Sequence, residues 1–119
     1  MTLFRLFAVF LLMPVAAAAQ DWQRISDEDV FLDLVSDQRL THLLYNIDIA
    51  VSPSGAITGD AMGWDVTGEW TWQDGYFCRS LDWGGDDLGY NCQLVEARGD
   101  EVRFTVDQGA GRAASLRLR

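Results

Sequence analysis

Between Trp64 and Trp72 the apolar side chains fall on every second residue: Trp64, Val66, Trp70 and Trp72, with Gly68 in the same register. The positions between them carry Asp65, Thr67, Glu69 and Thr71. A period of two sends one set to one face of a β-strand and the other set to the opposite face. Shorter alternations run through Ile47, Ile49 and Val51, and through Val102, Phe104 and Val106. Further strands are expected at Leu40–Leu44, Ala56–Asp60, Tyr76–Asp82, Tyr90–Ala97 and Ala113–Arg119, with Trp83–Gly89 a loop. Turn residues separate them: Ser52-Pro53-Ser54-Gly55, Asp74-Gly75 and Gly99-Asp100. Pro presets the second position of the first turn, and Asp-Gly is a strong two-residue hairpin signal. About seven or eight short strands joined by tight turns predict a mainly β fold, a small antiparallel meander barrel or sandwich.

One helix precedes them. Ser26 to Ser36 places Val30, Phe31, Leu34 and Val35 on one face at helical spacing. Ser26 is the expected cap, Ser26-x-x-Asp29 approximates a capping box, and Asp27, Glu28 and Asp29 suit the positive end of the dipole. The helix is expected to lie across a sheet or to plug one end of a barrel.

The turns also fix registers. With Asp74-Gly75 as the loop pair, Gln73 faces Tyr76, Trp72 faces Phe77 and Trp70 faces Arg79. With Cys78 opposite Cys92, Phe77 faces Gln93 and Arg79 faces Asn91. With Gly99-Asp100 as the next turn, Val95 faces Phe104 and Glu96 faces Arg103. The three registers agree. They gather Trp64, Val66, Trp70, Trp72, Phe77, Leu81, Val95, Val102, Phe104 and Val106 on one face, leaving the disulfide and a Glu96–Arg103 surface pair on the other.

The first residues change the address. Met1–Ala19 reads as a secretory signal peptide: Arg5, an apolar run from Leu6 to Met13, then Pro14 and small residues ending Ala17-Ala18-Ala19. The run is shorter than the roughly 18–20 residues of a spanning helix. The expected working protein is therefore a single domain, Gln20–Arg119, periplasmic or secreted and free of the membrane after cleavage. In an oxidising compartment the cysteine pair is expected as one structural disulfide, Cys78–Cys92. The chain is acidic, with formal net charge −9, and all of its basic residues are Arg. That balance argues against nucleic acid and anionic membranes as partners.

The candidate binding residues are the polar members of the apolar face. A guanidinium inside a barrel is costly unless paired. Trp70 is positioned to stack on Arg79, Asn91 to accept from it, and Asp65 or Asp82 to complete the set. Alternatively, Arg79, Trp70, Asn91 and Gln93 form a pocket for the anionic group of a small ligand; the partner expected is such a ligand or an envelope protein. No catalytic residue, cofactor or metal site is expected. His42 is the single histidine. The carboxylates of Asp82, Asp86 and Asp87 do not have calcium-loop spacing, and Arg98-Gly99-Asp100 is explained by a hairpin turn.

The run Gly68-Glu69-Trp70-Thr71-Trp72-Gln73-Asp74-Gly75-Tyr76-Phe77-Cys78-Arg79, with Tyr90-Asn91-Cys92-Gln93 and Val102-Arg103-Phe104, resembles a family of short exported bacterial proteins whose members often carry the name dihydrodipicolinate reductase. The resemblance implies an alternative reading as an enzyme of that name, with Pro53-Ser54-Gly55-Ala56 similar to the substrate-binding turn of such reductases. A reductase of that kind also implies a nicotinamide-binding Rossmann half and a His-His-x-x-Lys stretch, and this chain has no Lys. From the residues themselves, the favoured expectation is an exported, non-enzymatic binding or inhibitor module.

Overall fold

The structure, a computed structural model, describes residues 8, 9, 11, 12 and 21–119. The expected leader, residues 1–19, lies outside the described residues except at those four positions. The described residues form β1 (Gln23–Ile25), α1 (Glu28–Val35), β2 (Leu40–His42), β3 (Ile47–Val51), β4 (Ala56–Ala61), β5 (Trp64–Gln73), β6 (Tyr76–Trp83), β7 (Asp86–Arg98), β8 (Glu101–Thr105) and β9 (Ala113–Leu118), with a short 3-10 turn at Asp107–Gly109.

Strands β2 to β9 close into an eight-stranded antiparallel barrel in meander order, and β1 adds to it from outside. Closure runs through the long β7, which pairs with β6 up to Gln93 and with β8 from Leu94 onward. Beyond Gln93 the edge that β6 leaves free would expose unpaired backbone groups. β1 takes that edge, Ile25 opposite Val95 and Gln23 opposite Ala97. The thinnest seam lies between β2 and β9, registered only at Leu40–Leu118 and Thr41–Arg117 and extended by reciprocal backbone bonds between Arg39 and Arg119.

Every register expected from the turns is present: Gln73–Tyr76, Trp72–Phe77, Trp70–Arg79, Phe77–Gln93, Cys78–Cys92, Arg79–Asn91, Val95–Phe104 and Glu96–Arg103. Cys78 and Cys92 are joined by a disulfide. Closing a loop of about 15 residues contributes roughly 3 kcal/mol in the chain-entropy model. Asp74 and Gly75 both take left-handed backbone angles, φ 52° and 83°, as a two-residue hairpin turn demands.

The two ends of the barrel are unlike. Turns 52–55, 74–75 and 99–100 lie at one end, and α1 plugs it. Phe31 is fully buried there and packs against Trp70, Trp72, Phe77 and Phe104, with ring centroids 4.9–6.5 Å away. Burying a Phe or Leu side chain in this way stabilises by about 1.5–3 kcal/mol. Turns 43–46, 62–63, 84–85 and 106–112 lie at the other end, away from α1.

Local details depart from expectation. The helix cap is Asp27, whose carboxylate accepts from the Asp29 amide at 2.9 Å; the Ser26 capping box does not form. The Ser26 carbonyl instead receives the Trp72 indole N–H. Val30 is half exposed rather than in the core, and Leu32 is partly buried in its place. β2 ends at His42 and leaves Leu43 and Leu44 exposed. The expected Trp83–Gly89 loop is a hairpin, because Gly84 and Gly85, both at positive φ, turn the chain in two residues and let Asp86 pair with Trp83. The register then shifts by one residue, with Leu81 opposite Gly89 and Asp82 opposite Asp87, so that Leu88 forms a bulge.

Candidate functional site

Arg79 enters the barrel from β6, between Trp70 on β5 and Asn91 on β7. The side-chain period puts all three, and Gln93, on the interior face, as the sequence predicts. Their surroundings differ from residue to residue. Trp70 is buried, donates its indole N–H to the Ser52 carbonyl at 2.8 Å, and packs edge-on to Phe31. It belongs to the plugged end and makes no cation–π contact with Arg79; among the described residues the cations that lie over rings are Arg24, Arg98 and Arg103. Gln93 is buried opposite Phe77.

Asn91 does not accept from Arg79. Its amide is engaged with Asp107: Asn91 Nδ2 donates to the Asp107 carboxylate at 2.8 Å, and the Asp107 backbone N–H donates to Asn91 Oδ1 at 3.0 Å. This reciprocal pair ties the 3-10 turn to β7 along the stretch where β8 no longer pairs with it. The carboxylates of Asp65 and Asp82 do not reach Arg79 either. Asp82 accepts from the Gly85 amide at 2.9 Å and so serves the β6–β7 turn, and Asp87 accepts from the Gly89 amide in the same way.

Among the described residues Arg79 has a single hydrogen-bond partner, the Gly89 carbonyl, which accepts from Nη1 at 3.0 Å. Among the described residues no carboxylate lies within ion-pair distance of it. Half-buried and without a counter-ion, its guanidinium is held below the usual arginine pKa by desolvation. Among the described residues the arginines that do form ion pairs are Arg39, Arg98, Arg103 and Arg117, bound to Asp48, Glu101, Glu96 and Asp100. The contrast is chemical: in a chain with 18 acidic residues, the cation placed inside the barrel is not given one of them.

Two surface grooves lie elsewhere. One follows the β2–β9 seam and is lined by Thr41, His42, Leu44, Ser115 and Arg117. Another runs over the outer face beside the disulfide, between Ser54, Glu69, Thr71, Ser80 and Tyr90. Neither groove includes Arg79. Pro53-Ser54-Gly55-Ala56 is a tight turn between β3 and β4, closed by the Gly55 amide on the Ser52 carbonyl at 3.0 Å. Its position is explained by the hairpin. His42 accepts from the Tyr45 amide through Nδ1 at 3.4 Å, with the two rings 4.8 Å apart, and has no catalytic partner there.

β1 and its flank escaped the sequence reading. Trp22 lies under two guanidinium groups, Arg98 and Arg103, each 4.3 Å from its ring centroid. A three-residue strand gives too short an alternation to recognise, and Trp22 alone does not announce a cation–π clamp. What the fold defines is a small disulfide-bonded β-barrel domain. No protein family, curated protein or solved structure matches the chain significantly.

Proposed function

We propose that this protein is an exported, non-enzymatic binding module whose barrel receives an anionic group of a small ligand against Arg79. The observation that carries this reading is the half-buried guanidinium with one carbonyl partner and no carboxylate. Removing a cation from water without a counter-charge is costly, and an incoming carboxylate, phosphate or sulfate would supply two acceptor oxygens in the geometry a guanidinium fork matches. Asn91 and Gln93 flank the position on β7. Export is supported by the leader-like sequence at residues 1–19 and by the disulfide.

Native mass spectrometry tests the reading on protein recovered from the periplasm of an expressing bacterium, as wild type and as Arg79→Met. The expected result is an acidic small molecule retained by the wild type and missing from the variant. Two apo spectra, together with no stabilisation by phosphate, sulfate or citrate in thermal melts, would overturn it.

A further inference from the structure

We propose that the end of the barrel opposite α1 is a docking surface for a basic segment of another protein, one that combines arginine or lysine with aliphatic side chains. This surface uses residues other than Arg79. Three hairpin tips meet there. Leu43, Leu44 and Tyr45 on the β2–β3 turn are 82%, 79% and 53% exposed, and Met62 and Trp64 beside the β4–β5 turn are 59% and 61% exposed. The tips are joined rather than scattered. The Met62 amide donates to the Asn46 carbonyl at 3.2 Å, and the Gly84 amide donates to the Asp65 carbonyl at 2.8 Å. Trp64 also lies along Gly84, where any side chain at position 84 would meet its ring. Isolated exposed apolar residues are ordinary on a protein surface, but five large ones gathered on adjoining turns mark an interaction site.

Charge names the occupant. Directly behind these tips, on the outer face, the strand registers stack carboxylates: Asp48 opposite Asp60, Asp60 opposite Asp65, and Asp82 opposite Asp87. Like charges directly across a ladder are destabilising, and among the described residues only Asp48 of these is paired with a cation, Arg39 at 2.6 Å. Asp86 lies at the third tip, beside Trp64 and Trp83. Among the described residues the turns of this end carry one cation, Arg112. A second copy of the chain would fit poorly, because a two-fold contact through the apolar tips brings both carboxylate ladders together. A segment alternating aliphatic and basic residues satisfies both features: apolar side chains rest on Leu44, Met62 and Trp64, and cations meet Asp60, Asp65 and Asp86.

The test uses the oxidised protein and a labelled synthetic peptide of about twelve residues with Arg and Leu alternating, a length that spans a small interface. Two companion peptides replace Arg by Glu or Leu by Ser. Binding is read by fluorescence anisotropy, with the emission of Trp64 as reporter and Trp64→Phe as its blank. The Arg/Leu peptide is expected to bind the wild type and to shift that emission, while both companions bind at least about tenfold more weakly. Leu44→Ser/Met62→Ser and Asp60→Asn/Asp65→Asn should each weaken binding by a similar factor. Asp33→Asn/Asp37→Asn, which makes the same charge change at the helix end, should leave it unaltered. The proposal fails if the Arg/Leu peptide does not bind, or if the Glu peptide binds as well. It also fails if the Asp33/Asp37 pair matters as much as Asp60/Asp65, which would reduce the effect to net charge. Sedimentation showing a dimer that Leu44→Ser dissolves would overturn it in favour of self-association.

Discussion

Trp72 on β5 donates its indole N–H to the Ser26 carbonyl at 3.1 Å, across 46 residues of sequence. Its ring stacks on Phe31 with centroids 4.9 Å apart. One side chain thus holds both the entry to α1 and its most buried residue, and the helix is held down as the plug of the barrel. Trp72→Phe keeps the stacking and loses the hydrogen bond, at an expected cost of about 0.5–1.5 kcal/mol. Phe31→Ala removes the residue that four aromatic rings enclose and should cost about 3–5 kcal/mol. Denaturant melts give both numbers. Equal effects from the two changes would mean that the helix is not anchored through Phe31.

The disulfide carries a separate expectation. It joins β6 to β7 where both are already paired, and closes a loop across a sequence separation of 14. Its contribution falls on the unfolded chain rather than on native contacts. Cys78→Ser/Cys92→Ser should therefore fold to the same barrel with stability lowered by roughly 3 kcal/mol, the chain-entropy value for such a loop. Chemical melts with and without reductant measure the difference, and the double variant should be indifferent to reductant.

Two interior glycines bend the wall. Gly59 on β4 and Gly68 on β5 lie where neighbouring strands approach too closely for a side chain: a Cβ at Gly59 would strike the Asp48 carbonyl, and one at Gly68 the Ser80 carbonyl. Both obstacles are backbone, so neither can swing aside. Glycine at such points lets a barrel turn its corners. Gly68→Ala is expected to destabilise by about 1–3 kcal/mol through overpacking, and Gly59→Ala by at least as much, since its φ of 150° is also unfavourable for a side chain. A thermal melt of Gly68→Ala matching the wild type would show that the wall can relax there.

The strand order, the registers and the disulfide were legible in the sequence because each rests on a local rule. Alternation fixes faces, Asp74-Gly75 and Gly99-Asp100 fix turn lengths, and the cysteine pair fixes the phase between hairpins. Tertiary competition was not legible. Ser26 is as good a cap as Asp27 by propensity, but its carbonyl is recruited by Trp72, and the cap moves one residue on. The Leu40–Leu44 run continues past the point where β2 ends, because Leu43 and Leu44 project from the end opposite α1 instead of turning into the core. At the candidate site, the interior placement of Arg79, Trp70, Asn91 and Gln93 followed from parity alone. Their partners did not, since the Asp107 that engages Asn91 comes from a turn 16 residues away.

Arg79 allows the sharpest test of structural against ligand-binding roles. Burial pushes its pKa below the ordinary value, so the folded protein holds that proton less tightly than the unfolded chain does. For a cation this sign means that its charge opposes folding at every pH below the folded-state pKa and is relieved only in alkali above it. Against this stands one hydrogen bond to the Gly89 carbonyl, worth about 1.5–3 kcal/mol at most for a charged donor. The two effects oppose each other, and Arg79→Met, which fills the same space without charge, is expected to alter stability by less than about 1 kcal/mol. Asn91→Leu should cost more, since it leaves the Asp107 carboxylate and amide without the partners they have now. Sulfate or phosphate should raise the wild-type melting temperature more than that of Arg79→Met at equal ionic strength. If Arg79→Met is instead strongly destabilised and the anions act equally on both proteins, Arg79 ties strands together and receives no ligand.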